Sequence, residues 1–349
     1  MKIAIRADGN ANIGLGHIQR CLTLSSQLKK KGAKVIFVVK EDKIVKEKVK
    51  QEGFEVIELE HNLNLDKDLR YIVKTIKENK IDILITDSYE FDEKYLIEVK
   101  KNVALLVSID DLAEIAFPSD ILINQNIYAK ELSYRSLTAK TEFLLGPEYA
   151  LLKEEFIQSN SRTFQCAKRR MNEKVKNILI TLGGSDIFNL TPKILHILCK
   201  IKEDFKITVV VGPFFNNISR IKEISSKTDK GVKFIYNSPQ MAKLMFEAGL
   251  VITGGGSTLH ELAATGTPAC AFCLADNQER NIKGMERYGA IINLGWWNEF
   301  KEERVCNEVM RLLKTPYLRE EMSKKGQELV DGRGVERVIK SIFEEYQRI

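Results

Sequence analysis

A histidine stands directly after a glycine-punctuated loop, in the stretch Gly14-Leu15-Gly16-His17. Ile18, Cys21, Leu22, Leu24 and Leu28 follow it at spacings that make one apolar helical face, so His17 falls in the first turn of a helix. The positive end of the helix dipole disfavours an imidazolium there and leaves a neutral ring able to accept a proton. Such a position suits a catalytic base, and it also suits a helix-terminal residue bonded to backbone. A second stretch, "VITGGGSTLHELAATGTP" at 251–268, sets three glycines between an apolar run and the start of another helix. Glycines let backbone N–H groups approach phosphate oxygens, and a helix N-terminus adds donors and partial positive charge. An anion site is therefore expected at Gly255, Gly256, Ser257 and Thr258. Glu261 either closes a capping box with Thr258 or accepts hydrogen bonds from a ribose. In "LITLGGSDIFNLTPK" at 179–193, Gly183, Gly184, Ser185 and Asp186 form a turn that would help enclose a diphosphate. Asn277 and Gln278 open a further helix with amides that both donate and accept.

Other chemistries fit less well. A dinucleotide fingerprint needs glycine three residues after Gly16, where Gln19 stands; Glu41 or Asp42 partly imitates the acidic ribose ligand and keeps an NAD site as an alternative. The phosphate-binding pattern GxxxxGK[ST] is missing, which disfavours a P-loop NTPase. Asp66 and Asp68 have the spacing of a metal-binding pair, but they open a helix that reads as solvated. Cys270 and Cys273 have CxxC spacing inside an apolar run, with no second pair and no nearby histidine. Neither pair favours a metal or redox role, and no disulfide is expected.

Short apolar runs alternating with helical patterns must position these loops. Strands are expected at 2–7, 33–40, 54–59, 82–87 and 104–110, and again at 175–184, 205–212, 232–237, 249–256, 268–275 and 290–295. This alternation predicts α/β architecture with two Rossmann-like, doubly wound domains facing a cleft. Domains are expected at 1–158 and 175–349, joined by a polar, basic linker at 159–174, with a helical tail from about 302 that would cover an interface or cross back to the first domain. The length of 349 residues agrees with two domains of roughly 150–180 residues. In open α/β sheets ligands bind beyond the carboxyl ends of strands, which is where His17, Asp87 and the glycine loops fall. Asp87 and Tyr89, just beyond the fourth strand, lie where they could contact a sugar or position His17; Asp87 could also cap a turn. The net charge of +6 is modest, with no dense basic block, so a small polyanion is a better partner than nucleic acid. The N-terminal run meets Asp8 too early for a signal peptide, and no apolar run reaches the length of about 18 residues that a membrane span needs. A cytoplasmic protein is expected, of open oligomeric state. Trp296 and Trp297 are expected in the core or an interface.

Several motifs occur in one order: "IRADGNANIGLGHIQRCLTLSSQL", "ITDSY", "VSIDD", "LINQN", "LLGPEYALLKEEF", "ITLGGSD", "ITGGGSTLHELAATGTP" and "ADNQ". In this the chain resembles, over nearly its whole length, the UDP-2,4-diacetamido-2,4,6-trideoxy-β-L-altropyranose hydrolases of bacterial pseudaminic acid biosynthesis. The resemblance implies a glycosyltransferase-B-like fold with UDP held mainly by the C-terminal domain. It further implies inverting attack of water at the anomeric carbon, without a metal or redox cofactor. His17 matches the family's proposed base or water-orienting histidine and Tyr89 its Asp-Ser-Tyr tyrosine. Gly255, Gly256, Ser257, Glu261, Asn277 and Gln278 match its uridine-diphosphate loops. His260 stands where the family often has an aromatic residue. A glycosyltransferase using the same donor with a non-water acceptor, or a non-catalytic nucleotide-sugar-binding protein, would share the UDP loops.

Overall fold

The structure, a computed structural model, describes residues 1–10, 14–138, 140–157 and 174–349. The chain forms two compact units, Met1–Leu152 with Arg333–Ile349, and Lys153–Gly332. The expected linker lies outside the described residues except for Lys174.

In the first unit, β1 (Lys2–Ala7), β2 (Lys34–Lys40), β3 (Glu55–Leu59), β4 (Ile83–Asp87) and β5 (Leu105–Ile109) fall on the expected apolar runs. Two additional strands, β7 (Ile121–Asn124) and β9 (Glu142–Leu145), extend the sheet; the two-residue strands β6 (Ala116–Phe117) and β8 (Arg135–Ser136) pair with each other. The parallel order β3-β2-β1-β4-β5-β7-β9 winds outward from β1 and then restarts on its other side at β4. Ile3 and Ile5 pack in one buried cluster with Leu22 and Leu28, whereas Ala4 packs in another with Ile72 and Ile76. Both faces of the strand are covered, which is why its sequence is apolar at consecutive positions.

The second unit repeats this plan with β10 (Asn177–Thr181), β11 (Lys206–Val211), β12 (Val232–Tyr236), β13 (Leu250–Gly254), β14 (Ala269–Cys273) and β15 (Ile292–Trp296). Its parallel order is β12-β11-β10-β13-β14-β15, so the winding reverses between β10 and β13.

One boundary differs from expectation. The second domain is expected to run to 349, but the last helix of the tail, Gly334–Gln347, belongs to the first unit, in line with the expectation that the tail could cross back to the first domain. Val335, Val338, Ile339 and Ile342 form a helical stripe in the same cluster as Ile3, Leu105 and Ile121. A Cβ on Gly334 would lie 2.3 Å from the Ala150 carbonyl oxygen, so glycine permits the close approach at the start of this helix.

Candidate active site

Topology brings the first set of residues together. Parallel pairing aligns Ala7 with Asp87, so the ends of β1 and β4 meet at the switch point of the first sheet. The first helix, Gly16–Lys30, starts there. Gly14 has φ +76, a conformation that glycine adopts without a Cβ clash, and its N–H donates to the Asn10 carbonyl at 2.8 Å.

His17 is buried, and its Nδ1 lies 2.6 Å from Asp87 Oδ1. Arg20 Nη2 also lies 3.2 Å from Nδ1, but the shorter contact is to an ionised carboxylate, which only accepts, so Nδ1 is the donor and, in the neutral ring, the lone pair sits on Nε2. Arg20 follows one turn later on the same helix. Its Nε and Nη2 donate to the two Asp87 oxygens, each at 2.6 Å. The remaining nitrogen, Nη1, donates to both oxygens of Asp111, at 3.0 and 2.9 Å. Asp111, just beyond β5, also accepts from the Tyr89 hydroxyl and from Asn126 Nδ2, each at 2.8 Å. The Tyr89 ring meets the His17 ring edge-on with centroids 4.7 Å apart. Burial alone would raise the Asp87 carboxyl, but the Arg20 charge, with the hydrogen bonds from Arg20 and His17, outweighs it and holds the group well below the usual carboxylate range. Burial likewise works against charged Arg20, and Asp111 and Asp87 overcome it.

Asp87 therefore does more than cap a turn: it joins His17 to Arg20. Arg20, Asp111 and Asn126 were not singled out from the sequence. The available signals were the three-residue spacing of Arg20 from His17 and the positions of Asp111 and Asn126 just after apolar runs.

In the second unit, pairing of Thr181 with Thr253 puts the ends of β10 and β13 side by side, again at the switch point. The Gly183–Ser185 and Gly254–Ser257 loops leave from these neighbouring ends. Gly255 is buried, Gly256 and Thr258 are half-buried, and Ser257 is exposed. The helix Thr258–Thr265 starts after Ser257 with no side-chain cap, so the capping box of Thr258 and Glu261 is not formed. Instead the first turn is closed by backbone bonds, Leu259 N to Gly256 O and His260 N to Ser257 O, both 3.0 Å. Burial pushes the Glu261 carboxyl up to about 7; Lys153 opposes the shift and Glu155 adds to it.

Gln278 has a structural task. Its Oε1 accepts from Gly255 N at 3.2 Å and Leu274 N at 3.1 Å, tying the glycine loop to the helix Asp276–Tyr288. Asn277 is exposed in the first turn of that helix. Gly183 is exposed at φ +81, while the Gly184 carbonyl accepts from Phe214 N at 2.9 Å. Ser185 is half-buried beside Asp186, whose carboxylate accepts from Leu190 N and Thr191 N and so caps the helix Leu190–Lys200. Trp297 stacks on Phe188 with centroids 3.7 Å apart at the edge of the second core, and Trp296 Nε1 donates to Glu279.

Three of the weighed alternatives change. Asp68 is buried rather than solvated: Arg6 donates to it through Nε and Nη2, and the Tyr95 hydroxyl donates at 2.8 Å. Asp42 is the N-cap of the helix Lys43–Gln51, accepting from Ile44 N and Val45 N. Cys270 and Cys273 lie three apart on β14 and so point to opposite faces, and burial pushes both thiols up, Cys273 to about 11. Among the described residues no group of three or more His, Cys, Asp or Glu could hold a metal ion. No described helix is long and apolar enough to cross a membrane.

The two parallel α/β units have the glycosyltransferase-B fold. The chain superposes on MurG of Acinetobacter baumannii with a TM-score of 0.75 over 98% of this chain and 99% of that one, at 16% identity. Residues 177–337 match the glycosyltransferase family 28 C-terminal domain. In sequence the chain is 34% identical over 275 residues to an uncharacterized protein of Methanocaldococcus jannaschii, covering 77% of this chain and 54% of that protein. It therefore spans about half the length of that archaeal relative. It is 29% identical to the UDP-2,4-diacetamido-2,4,6-trideoxy-beta-L-altropyranose hydrolase of Campylobacter jejuni, over 83% of this chain and 97% of that enzyme. It is 26% identical to the spore coat polysaccharide biosynthesis protein SpsG of Bacillus subtilis over 100% of this chain and 99% of that one.

Proposed function

We propose that the protein hydrolyses a UDP-linked 2,4-diacetamido-2,4,6-trideoxyhexose, the altropyranose of the Campylobacter jejuni relative, to UDP and the free sugar. The observation that carries this reading is the His17–Asp87 contact of 2.6 Å, which leaves Nε2 of the neutral ring as a proton acceptor. In the proposed step, water oxygen attacks the anomeric carbon while Nε2 takes one water proton. The bond from that carbon to the diphosphate oxygen breaks with inversion, and its electron pair leaves on UDP. Gly255, Gly256, Ser257 and the start of the helix Thr258–Thr265 bind the diphosphate and stabilise the charge it gains. Gly183, Gly184 and Ser185 close the same phosphate site from the neighbouring strand, Glu261 accepts from the ribose hydroxyls, and Asn277 and Gln278 complete the nucleotide contacts. Gly14 and Gly16 shape the loop that presents His17, and Tyr89 meets the sugar.

The match of residues 177–337 to a glycosyltransferase domain favours a second reading, in which the same donor site serves an acceptor other than water. Incubation of the UDP-sugar with the protein, with and without candidate acceptors, separates the two by product mass. Hydrolysis gives UDP and free sugar whose first-formed anomer, followed by NMR, is inverted. His17→Asn should abolish UDP release and leave UDP affinity intact. Near-wild-type turnover in that variant would remove His17 from the mechanism.

A further inference from the structure

We propose that Arg20 is the positioning residue of this site: clamped between Asp87 and Asp111, it fixes the tautomer of His17 and the place of the Tyr89 hydroxyl together. The inference rests on the proposed role of His17 in handling water.

Geometry singles out arginine. Nε and Nη2 engage both oxygens of Asp87 side by side, and Nη1 engages both oxygens of Asp111, so one planar group orients two carboxylates. These carboxylates stand at the ends of adjacent parallel strands, β4 and β5. Arg20 thus cross-ties two strand ends from a helix that also carries His17, three residues earlier. All three groups of the clamp are buried.

Removal of the guanidinium has a specific chemical consequence. Asp87 faces His17, Arg20 and Cys21 of the first helix, and Asp111, which also holds Tyr89, lies on the far side of Arg20. Without Arg20, two buried carboxylates are left with no cation between them, and one of them gains a proton. A protonated Asp87 can donate to Nδ1 of His17. The ring proton then moves to Nε2, and the lone pair that would receive the water proton is gone. Asp111 at the same time loses the Nη1 that bridged its two oxygens and keeps Asn126 beside Tyr89, which loosens the acceptor of the Tyr89 hydroxyl. A single substitution at Arg20 should therefore disturb His17 and Tyr89 together.

The test uses the full chain with Arg20→Gln and Arg20→Lys. Nitrogen-15 NMR of the imidazole rings reads the tautomer, with the His17 signal identified by its loss in His17→Asn; the sequence has four histidines in all. Wild-type protein should show Nδ1 protonated. Arg20→Gln should shift His17 toward the Nε2-protonated form and lower kcat on the order of 100-fold with KM unchanged, as expected for lost positioning. Its acid limb of activity should move to higher pH, because Asp87 loses its strongest cationic partner. Arg20→Lys keeps the charge without the fork, so the tautomer should persist while kcat still falls. A wild-type tautomer in Arg20→Gln overturns the proposal. If that variant does not fold, wild-type kcat and pH profile in Arg20→Lys overturn it. If the wild-type protein releases no UDP, the hydrolytic reading fails, and the tautomer measurement still decides the role of Arg20.

Discussion

A carboxyl held near neutrality is sensitive to both pH and ligand, and Glu261 is such a group. Burial pushes it up to about 7 in the folded protein, against about 4.3 for an unperturbed glutamate. Between those values the folded state binds the extra proton, so this residue's contribution to stability is full below the lower value and is lost as pH rises toward 7. Glu261→Gln should flatten that part of the curve, which denaturant titrations at pH 5 and pH 7.5 would show. The same variant should weaken UDP binding with the fold intact, because it replaces the carboxylate proposed to accept the ribose hydroxyls. Unchanged affinity with only a changed melting temperature would leave Glu261 a purely structural group. At this scale the sequence made single residues legible where local chemistry was sufficient: a histidine at a helix start, glycines before Ser257. Arg20 and Asp111 were not legible in the same way. Their meeting depends on which strand ends lie side by side, and the fork geometry exists only after β4 and β5 have paired.

Phosphate-loop geometry belongs to elements rather than to single groups. A Cβ on Gly255 would lie 2.3 Å from Cδ1 and 2.6 Å from Cγ1 of Ile282, on the helix Asp276–Tyr288. Gly255→Ala must therefore displace the Ile282 side chain and crowd Gln278 Cβ, which would lie 3.2 Å away, beside the bonds that Gln278 makes to Gly255 and Leu274. Overpacking of this kind costs about 1–3 kcal/mol. UDP affinity should fall along with the melting temperature, and Ile282→Ala in the same chain should recover part of both; no recovery would place the loop's sensitivity elsewhere. Strands β1–β5 and β10–β15 were legible because each is an apolar run bounded by polar turns. The later strands of the first unit were not. Ile121–Asn124 follows Pro118 closely and Glu142–Leu145 starts at a charged residue, so neither is long enough to stand out from a loop, and both are defined by pairing onto β5 and then β7. The final helix shows a similar limit: its helical character was legible, but the sequence left open whether it covers an interface or crosses back to the first domain, and the buried stripe of Val335, Val338, Ile339 and Ile342 decides for the second.

Assignment of the last helix to the first unit makes the chain's architecture testable as a whole. Val335, Val338, Ile339 and Ile342 are buried in the core that holds Ile3, Leu105 and Ile121, while Arg337 Nη1 donates to the Glu148 carbonyl at 2.7 Å. Burial of each such aliphatic side chain contributes roughly 1.5–3 kcal/mol, so the stripe contributes on the order of 10 kcal/mol before chain entropy is counted. That is as large as the whole stability of a typical domain. A chain ending at Gly332 should therefore lose amide protection in β1, β4, β5 and β7, while β10–β15, whose core contains none of these residues, should keep theirs. The function should divide the same way. UDP binding should survive in the truncated chain because the proposed phosphate loops and Glu261 all lie within Lys153–Gly332, whereas UDP release should stop because His17, Asp87 and Arg20 lose their scaffold. Hydrogen exchange read segment by segment, with UDP titration of the same sample, checks both halves of the argument. Protection lost throughout the chain would show that the second unit depends on the last helix, and turnover retained without that helix would contradict its role in supporting the His17 site.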